Sequence, residues 1–306
     1  MGADMKVVIV GGGGGVGSCV AFSLATSDRA FDIVLCDARP HMVTSHVMDL
    51  ENAVALADGA STVRGGTIED AADADVVVFC AAAPLRLNTS RSVYLAENHR
   101  IVTTALAELR ATGFDGILLL LTNPVDPLLT WIHRQGWPER RRLIGYSLND
   151  SLRLRTAVAS VRGCHPRDVG AWVVGEHGAG QVPLFSRIAV HGSRIALDDG
   201  ERATVREYLD TWYTRHVALD SGRTSTWSSG LGAAHLIRAM AADEGVVVPV
   251  CAVLDGEYGV HGVGVCVPVV LGREGVMSIA EWELEPAELS ALQAAARNVA
   301  AAASEL

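Results

Sequence analysis

A glycine-rich turn near the N-terminus constrains the fold of this chain more than any other feature. Residues 6–10 form a continuous apolar run rich in β-branched side chains, which is typical of a parallel strand buried on both faces. Five glycines follow at positions 11–15, and residues 18–25 have the pattern of a helix. A strand-to-helix turn of this kind places backbone N–H groups and a helix N-terminus where the pyrophosphate of a dinucleotide can bind.

The glycines of this turn fit two forms of the dinucleotide-binding fingerprint. Gly12-x-Gly14-x-x-Gly17 is the common form, and Gly11-x-x-Gly14-x-x-Gly17 is a form that is one residue longer. Either pattern alone is a weak signal, because a flexible glycine-rich linker matches it by chance. The predicted cofactor-binding residues of the turn are Gly11, Gly12, Gly14, Val16 and Gly17.

The next strand ends at an acidic residue that strengthens this hypothesis. Residues 31–36 are mostly apolar, and Asp37 follows them, twenty residues beyond Gly17. A carboxylate there can accept hydrogen bonds from both ribose hydroxyls of the adenosine half, which favours NAD. Asp37 would repel a 2′-phosphate, although Arg39 leaves NADP open. The alternative is that Asp37 is an ordinary turn residue at a strand end.

Alternating strands and helices predict the fold class. We expect an α/β protein in which a Rossmann-type, doubly wound parallel sheet is followed by an α+β domain. The pattern changes near Gly145, so residues 1–145 are expected to form an NAD-binding domain and residues 146–306 a substrate domain. Further predicted strands are residues 74–81, 116–121, 188–190, 194–197, 246–254 and 263–271, the last two as an antiparallel pair.

A histidine between two glycines is the best candidate for proton transfer. His177 follows an apolar strand-like run in the sequence Gly175-Glu176-His177-Gly178. Its unperturbed pKa near 6.5 suits an acid/base catalyst at neutral pH, although a loop histidine is more often only a hydrogen-bonding residue. Asp150 and Arg153 are three residues apart on a predicted helix and share a face, so they either point into one cleft or form a surface ion pair.

Two loops at the carboxyl ends of strands contain further polar candidates. Residues 83–91 have the length and polarity of a mobile lid, and Arg91 at its end could polarise a carbonyl group or remain a solvated charge. Asn123 ends the strand before Pro124. Its amide could orient a substrate carbonyl, and the bond to Pro124 is a candidate for the cis form. The alternative is an ordinary Asn-Pro turn.

Composition excludes several classes of partner. The chain has 306 residues, 49% of them hydrophobic, and a formal net charge of −10, which argues against nucleic acid or an anionic membrane as the main partner. Six cysteines without CxxC spacing suggest reduced thiols, and hence a cytoplasmic protein. There is no apolar stretch long enough to span a membrane and no leader-like N-terminus. His41 and His46 are five residues apart, so no metal site is predicted.

Taken together, these motifs resemble those of the lactate/malate dehydrogenase family, in order and in spacing, over nearly the whole chain. The resemblance implies an oxidoreductase that transfers a hydride between NAD(H) and a small 2-hydroxy or 2-oxo acid, and a homodimer or homotetramer. The matching segments are the glycine turn, Asp37, residues 48–50, residues 84–91, residues 122–126, Asp150-x-x-Arg153, residues 175–178 and residues 227–231. The glycine turn is closer to the malate dehydrogenase form of the family, which has one extra residue, than to the lactate dehydrogenase form.

The resemblance also implies a role for each candidate residue. His177 would be the acid/base, Asp150 would stabilise its imidazolium form, and Arg153 would bind the substrate carboxylate. Arg91 would close over the site and polarise the carbonyl. The residues implied to contact the cofactor, beside the glycine turn and Asp37, are Asn98, Thr122 and Asn123, the last of which would also touch substrate.

The sequence departs from the family pattern at the substrate side-chain pocket. Leu85 stands where malate dehydrogenases carry an arginine for the second carboxylate and lactate dehydrogenases commonly carry glutamine. A second carboxylate buried against leucine would be costly, so a monocarboxylic 2-oxo acid is favoured. Ser225 lies near the same pocket, and Ser229 replaces an apolar residue. The alternatives are a malate dehydrogenase that uses Arg86 for the second carboxylate, or a non-catalytic NAD-binding protein of the same fold.

Overall fold

The N-terminal half of the chain builds a parallel sheet. The computed structural model describes residues 5–84, 91–223 and 225–306, without the side chains of residues 91 and 92. Strands and helices mostly alternate through this half, as the sequence predicts. They are β1 (Met5–Val10), α1 (Gly15–Ala25), β2 (Phe31–Cys36), α2 (Pro40–Leu56), β3 (Thr62–Gly65), β4 (Val76–Phe79), α3 (Arg91–Ala111), β5 (Ile117–Leu120), α4 (Val125–Arg134) and β6 (Leu143–Gly145). Only a short 3-10 helix (Ile68–Asp73) separates β3 from β4.

These strands lie in the order β3-β2-β1-β4-β5-β6 and are all parallel. Helices cover both faces, which explains why the strands inside the sheet are largely apolar. Alternate residues of β1 show the two faces: Val7 and Ile9 belong to the same buried cluster as side chains of α1, whereas Val8 belongs to a second cluster with side chains of α3 and α4. The carboxyl ends of the strands therefore meet along one exposed edge, where ligands of such sheets bind.

The C-terminal half adds helices and mostly antiparallel strands. The paired strands predicted at residues 246–254 and 263–271 are present. The elements are α5 (Leu148–Arg162), β7 (Val169–Gly170), β8 (Val173–Gly175), β9 (Gln181–Pro183), β10 (Ala189–Val190), β11 (Ser193–Arg194), α6 (Asp199–Ala218), α7 (Thr226–Ala242), β12 (Val246–Asp255), β13 (His261–Gly272), β14 (Gly275–Ile279) and α8 (Pro286–Ser304).

The two halves share one sheet, which continues from β6 through β12, β13 and β8 to β9. Gly145 at the end of β6 pairs with Cys251 of β12, and Cys266 of β13 pairs with Gly175 of β8. This pairing brings the end of β8 toward the ends of the parallel strands. It thereby sets the segment after Gly175, which contains His177, beside the predicted cofactor edge.

Some of the predicted strands differ in the structure. Strand β3 was not expected, because Thr62 and Arg64 are exposed and only Val63 is buried, so the segment lacks an apolar run. Residues 195–197 are not part of a strand, and β10 and β11 have two residues each. The division into residues 1–145 and 146–306 stays a prediction, because β6 and β12 join these parts in one sheet.

No helix in the described part of the chain is both long enough and apolar enough to cross a membrane.

The junction at Gly145 has room only for a hydrogen atom. A Cβ there would lie 2.8 Å from the Cβ of Cys251, 2.8 Å from Cγ2 of Val125 and 2.9 Å from Cδ1 of Leu129. We expect Gly145→Ala to lower the free energy of unfolding by about 1–3 kcal/mol, as overpacking of a core does. Gly170→Ala is the control, because its nearest contact would be at 3.6 Å. Chemical denaturation measures both, and equal stabilities would contradict the prediction.

Candidate active site

The glycine turn takes the longer of its two possible registers. Gly11 has a φ of +89°, and a Cβ there would lie 2.6 Å from the backbone nitrogen of Ala81. A Cβ on Gly17 would lie 2.4 Å from the carbonyl oxygen of Gly11, so helix α1 packs directly against the turn. Gly14 precedes the helix and donates its N–H to Gly11. The Gly11–Gly14–Gly17 pattern thus provides the close turn and the open helix N-terminus that a pyrophosphate requires.

Asp37 lies beside this turn with its carboxylate ionised. Its Oδ2 accepts the N–H of Gly13 at 3.0 Å, and its Oδ1 accepts both the N–H and the Nε–H of Arg39 at 3.0 Å. Burial opposes ionisation of this side chain, which is 8% exposed, but the bonds and charge of Arg39 outweigh it and lower the pKa. The remaining lone pairs can accept ribose hydroxyls, so the turn and Asp37 fit the adenosine half of NAD.

The strand ends beside the turn are tied together by buried side chains. Asn98 of α3 accepts the N–H of Ala83 at 2.7 Å and donates to the carbonyl of Asn123 at 2.6 Å. The Thr122 hydroxyl donates to Ala81 at 2.9 Å. Asn123 itself is exposed, and its bond to Pro124 is cis, as predicted. Asn98 and Thr122 thus position this edge, and their direct contact with NAD stays a prediction.

His177 and Asp150 form the buried pair that the sequence suggested. Nδ1 of His177 lies 2.6 Å from Oδ2 of Asp150, and their side chains are 18% and 3% exposed. Burial alone would lower the pKa of His177, but the charge and hydrogen bond of Asp150 outweigh it, with a further contribution from Asp126, so the pKa is raised. With Nδ1 bound to Asp150, Nε2 is the ring nitrogen that can exchange a proton with a ligand.

Arg153 is the third member of this cluster, and its pair with Asp150 is not a surface ion pair. Nη1 donates to Oδ1 of Asp150 at 3.1 Å, and Nη2 donates to the Ser225 hydroxyl at 3.2 Å. The guanidinium also lies over the indole ring of Trp212, with 3.9 Å from Cζ to the ring centroid. Trp212 in turn stacks on His216 at 5.0 Å. The arginine is therefore held on one edge by Asp150, on another by Ser225 and across one face by Trp212.

Trp212 and Asp126 were not assigned roles from the sequence. Trp212 lies on α6, 59 residues beyond Arg153, in a helix whose pattern gives no sign of a binding site. Asp126 belongs to the Asn-Pro segment, and its Oδ2 accepts the backbone N–H of His177 at 2.7 Å. The sequence does mark Asp126, because it is a carboxylate two residues after Pro124 in the Asn-Pro segment. No sequence pattern marks Trp212.

The structure describes the remaining predicted site residues to different extents. Ser229 accepts a hydrogen bond from Nδ2 of Asn149 at 2.9 Å, so its hydroxyl is turned toward α5. Leu85 and Arg86 lie outside the described residues, and Arg91 is described only as the first residue of α3. No cluster of three or more metal-ligating side chains occurs in the described ranges.

A sheet edge with the glycine turn and acidic residue of a dinucleotide site, beside a buried His-Asp pair and an arginine that can bind a carboxylate, is the arrangement that an NAD-dependent 2-hydroxy-acid dehydrogenase requires. Comparisons with known proteins agree with this class. Residues 5–145 match the model of the lactate/malate dehydrogenase NAD binding domain, and residues 148–305 match that of the lactate/malate dehydrogenase alpha/beta C-terminal domain. The chain belongs to the lactate/malate dehydrogenase family, and the alternative of a non-catalytic protein is not retained.

Individual relatives include both kinds of enzyme. L-lactate dehydrogenase of Corynebacterium glutamicum strain R is 31% identical over 96% of this chain and 95% of its own length. Malate dehydrogenase of Halobacterium salinarum is 32% identical over 98% of this chain and 99% of its own length. Among solved structures, minor L-lactate dehydrogenase from Enterococcus mundtii superimposes with a TM-score of 0.90 at 26% identity, covering 99% of this chain and 98% of its own.

Replacement of Asp37 tests the cofactor site. We expect Asp37→Ser to raise the KM for NADH by about tenfold or more, because hydrogen bonds to a charged acceptor are lost. Preference for NADH over NADPH should fall as well, since the repelling charge is gone and Arg39 loses its partner. Asp32→Ser, near the start of the strand that Asp37 follows, is the matched control. Steady-state kinetics with both cofactors measure the change, and an unaltered KM for NADH would contradict the prediction.

Replacement of Trp212 tests the support of Arg153. We expect Trp212→Leu to raise the KM for the 2-oxo acid about three- to tenfold, because a cation–π contact in a partly desolvated site is lost. Trp212→Phe should retain part of it, and affinity for NADH should not change. Tyr213→Leu, an exposed aromatic residue on the same helix, is the control. Equal effects of the leucine and phenylalanine variants would exclude the cation–π role.

Proposed function

We propose that the protein interconverts a monocarboxylic 2-oxo acid and the corresponding 2-hydroxy acid with NAD. The observation that carries this proposal is the continuous set of contacts from His177 through Asp150 to Arg153. It supplies a proton-transfer group and a carboxylate-binding group held at fixed positions by one buried acid. A 2-oxo acid has a carbonyl group and a carboxylate on adjacent carbons, which such a pair can engage together.

Arg153 would bind the substrate carboxylate and thereby orient the carbonyl. A planar guanidinium gives direction as well as charge to such a contact. Its present bonds to Asp150 and Ser225, and the indole ring of Trp212 across its face, fix the plane in which the carboxylate must approach. Ser225 is therefore proposed to act at the substrate site through Arg153.

His177 would transfer the proton. Bound NAD supplies the hydride chemistry, donating a hydride in its reduced form and accepting one in its oxidised form. For reduction, the imidazolium of His177 gives its Nε2 proton to the substrate oxygen, and Asp150 stabilises the charged ring before the transfer. For oxidation, neutral His177 takes the hydroxyl proton. Because the pKa of His177 is raised, the protonated form that reduction requires persists to higher pH.

The remaining proposed roles concern substrate selection. Arg91 is proposed to polarise the carbonyl and Asn123 to touch both substrate and cofactor. Leu85 is proposed to exclude a second carboxylate, since leucine can neither pair with nor hydrogen-bond it. A malate dehydrogenase that uses Arg86 instead is the second candidate, and the 32% identity to the malate dehydrogenase of Halobacterium salinarum favours keeping it under test.

We also propose a cytoplasmic homodimer or homotetramer. All six cysteines are unpaired, which agrees with a reducing compartment. Helix α2 exposes Met48 and Leu56, and helix α7 exposes Trp227 and Leu231, so large apolar side chains are available for a contact between copies. Light scattering of the purified protein distinguishes the two assemblies.

A substrate comparison tests the proposed function. We expect kcat/KM with NADH to be higher for pyruvate, 2-oxoisocaproate or phenylpyruvate than for oxaloacetate, and His177→Asn to reduce it at least about a thousandfold for every acid, because the proton donor is lost. Leu85→Arg should shift preference toward oxaloacetate. Preference of the native enzyme for oxaloacetate would contradict the role of Leu85 and make Arg86→Leu the next variant. Retained activity in His177→Asn would contradict the mechanism.

A further inference from the structure

Asp126 is a second buried carboxylate beside His177. It lies in the first turn of α4, directly after the cis Asn123-Pro124 bond, and is 1% exposed. Its Oδ2 accepts the backbone N–H of His177 at 2.7 Å. Its Oδ1 makes no well-formed hydrogen bond to any described group, although the buried Cys251 thiol interacts with this carboxyl group. Such an incompletely bonded, buried acid is costly and calls for an explanation.

The backbone around His177 needs a hydrogen bond that fixes its position, such as the one to Asp126. Gly175 and Gly178, on either side of it, have φ values of +90° and +105°, so the backbone turns sharply at both ends. Asp150 holds only the ring, through Nδ1. Asp126 holds the backbone at the same residue, from a different element. The two carboxylates together leave the imidazole little freedom to rotate or shift.

The charge of Asp126 also bears on proton transfer. Burial raises the pKa of Asp126 to about 6, while the charge of His177 opposes this shift. In return, the Asp126 charge adds to that of Asp150 in raising the pKa of His177. The other ionisable groups that act on this pair are Glu176 from the same loop, Cys251 of β12, Cys266 of β13 and Arg153 of α5. The buried thiols stay neutral, because burial raises their pKa values.

We propose that Asp126 is a positioning residue for the dehydrogenase reaction, which fixes the backbone of His177 and supplies a second negative charge that stabilises the imidazolium form. This inference rests on the proposed role of His177 but not on which 2-oxo acid is reduced. Asp126 touches neither the substrate carboxylate nor the carbonyl in this assignment; it acts through His177. This role gives a reason for the presence of a buried carboxylate at position 126, where only one of its two oxygens is well hydrogen-bonded.

Asp126→Asn separates the charge from the hydrogen bond. The asparagine oxygen can still accept the His177 N–H, but the negative charge is gone. Since the imidazolium is then less stable, the high-pH decline of reductive kcat/KM should move to lower pH. We therefore compare the ratio of kcat/KM for Asp126→Asn to kcat/KM for the native enzyme at two pH values. At a pH above the decline, this ratio should be about threefold or more lower than at pH 6. The low-pH decline of the oxidative reaction should move in the same direction.

Asp126→Ala removes both functions. We expect reductive kcat/KM at neutral pH to fall about tenfold or more below that of Asp126→Asn, mainly through kcat, because the proton donor is no longer held in place. Affinity for NADH, measured by fluorescence titration, should stay unchanged and shows that the variant is folded. If the alanine variant does not fold, the pH profile of the asparagine variant alone decides the charge role.

Asp75→Asn is the matched control. Asp75 also accepts a backbone N–H, from Lys6 at 2.7 Å, but it lies before β4 at the opposite end of the sheet. Its pH profile should coincide with that of the native enzyme. A profile of Asp126→Asn that coincides with the native one while His177→Asn is inactive would overturn the role of Asp126 alone. Activity retained in His177→Asn would instead overturn the proposed function.

Discussion

The candidate active site depends on one buried carboxylate. Asp150 accepts hydrogen bonds from both His177 and Arg153, and it is almost inaccessible to solvent. An unpaired charge in that position would be strongly destabilising, so the folded chain must bring both cations to it. Because one partner follows β8 and the other lies on α5, the same requirement fixes the end of β8 against the start of that helix. The same two contacts thus contribute both to the candidate chemistry and to the packing of β8 against α5.

The mixed sheet makes this convergence possible. In a purely parallel sheet the carboxyl ends of all strands lie at one edge, and the residues there come from the loops between successive βα units. Here β12 joins β6 in the antiparallel sense, and β13 then carries β8 on its far side. His177 therefore reaches the site from the loop that follows β8, two residues beyond Gly175. Because a loop holds a side chain less firmly than a strand does, the contacts with Asp150 and Asp126 are needed to fix it. Gly145 and Cys251 pair where β6 meets β12, and this junction leaves no room for a side chain on Gly145.

Several elements could be predicted because local pattern and burial agree. Strands such as β1 and β5 are continuous apolar runs, and the spacing of Asp150 and Arg153 puts them on one helix face. Strand β3 could not be predicted, since a single buried valine among exposed polar residues carries no periodic signal. The five consecutive glycines fit both patterns of the turn, so only the family resemblance favours the longer, malate-dehydrogenase-like register. The positive φ and the close contacts of Gly11 agree with that register. Trp212 was missed because stacking on Arg153 is a contact between distant helices, which neither composition nor periodicity encodes.

The balance of charge at the site bears on the choice of substrate. The charge of Arg153 is already matched by Asp150, and His177 is flanked by both Asp150 and Asp126, so the described side chains around the ring carry at least as much negative as positive charge when both acids are ionised. A 2-oxo acid with one carboxylate adds one negative charge, which Arg153 can accept through its remaining donors. A dicarboxylic acid adds a second, for which the proposed function would need a further counter-charge. At the position that the family uses for this purpose the chain has Leu85, so the same electrostatic reasoning that explains the His177 pair also favours a substrate with a single carboxylate.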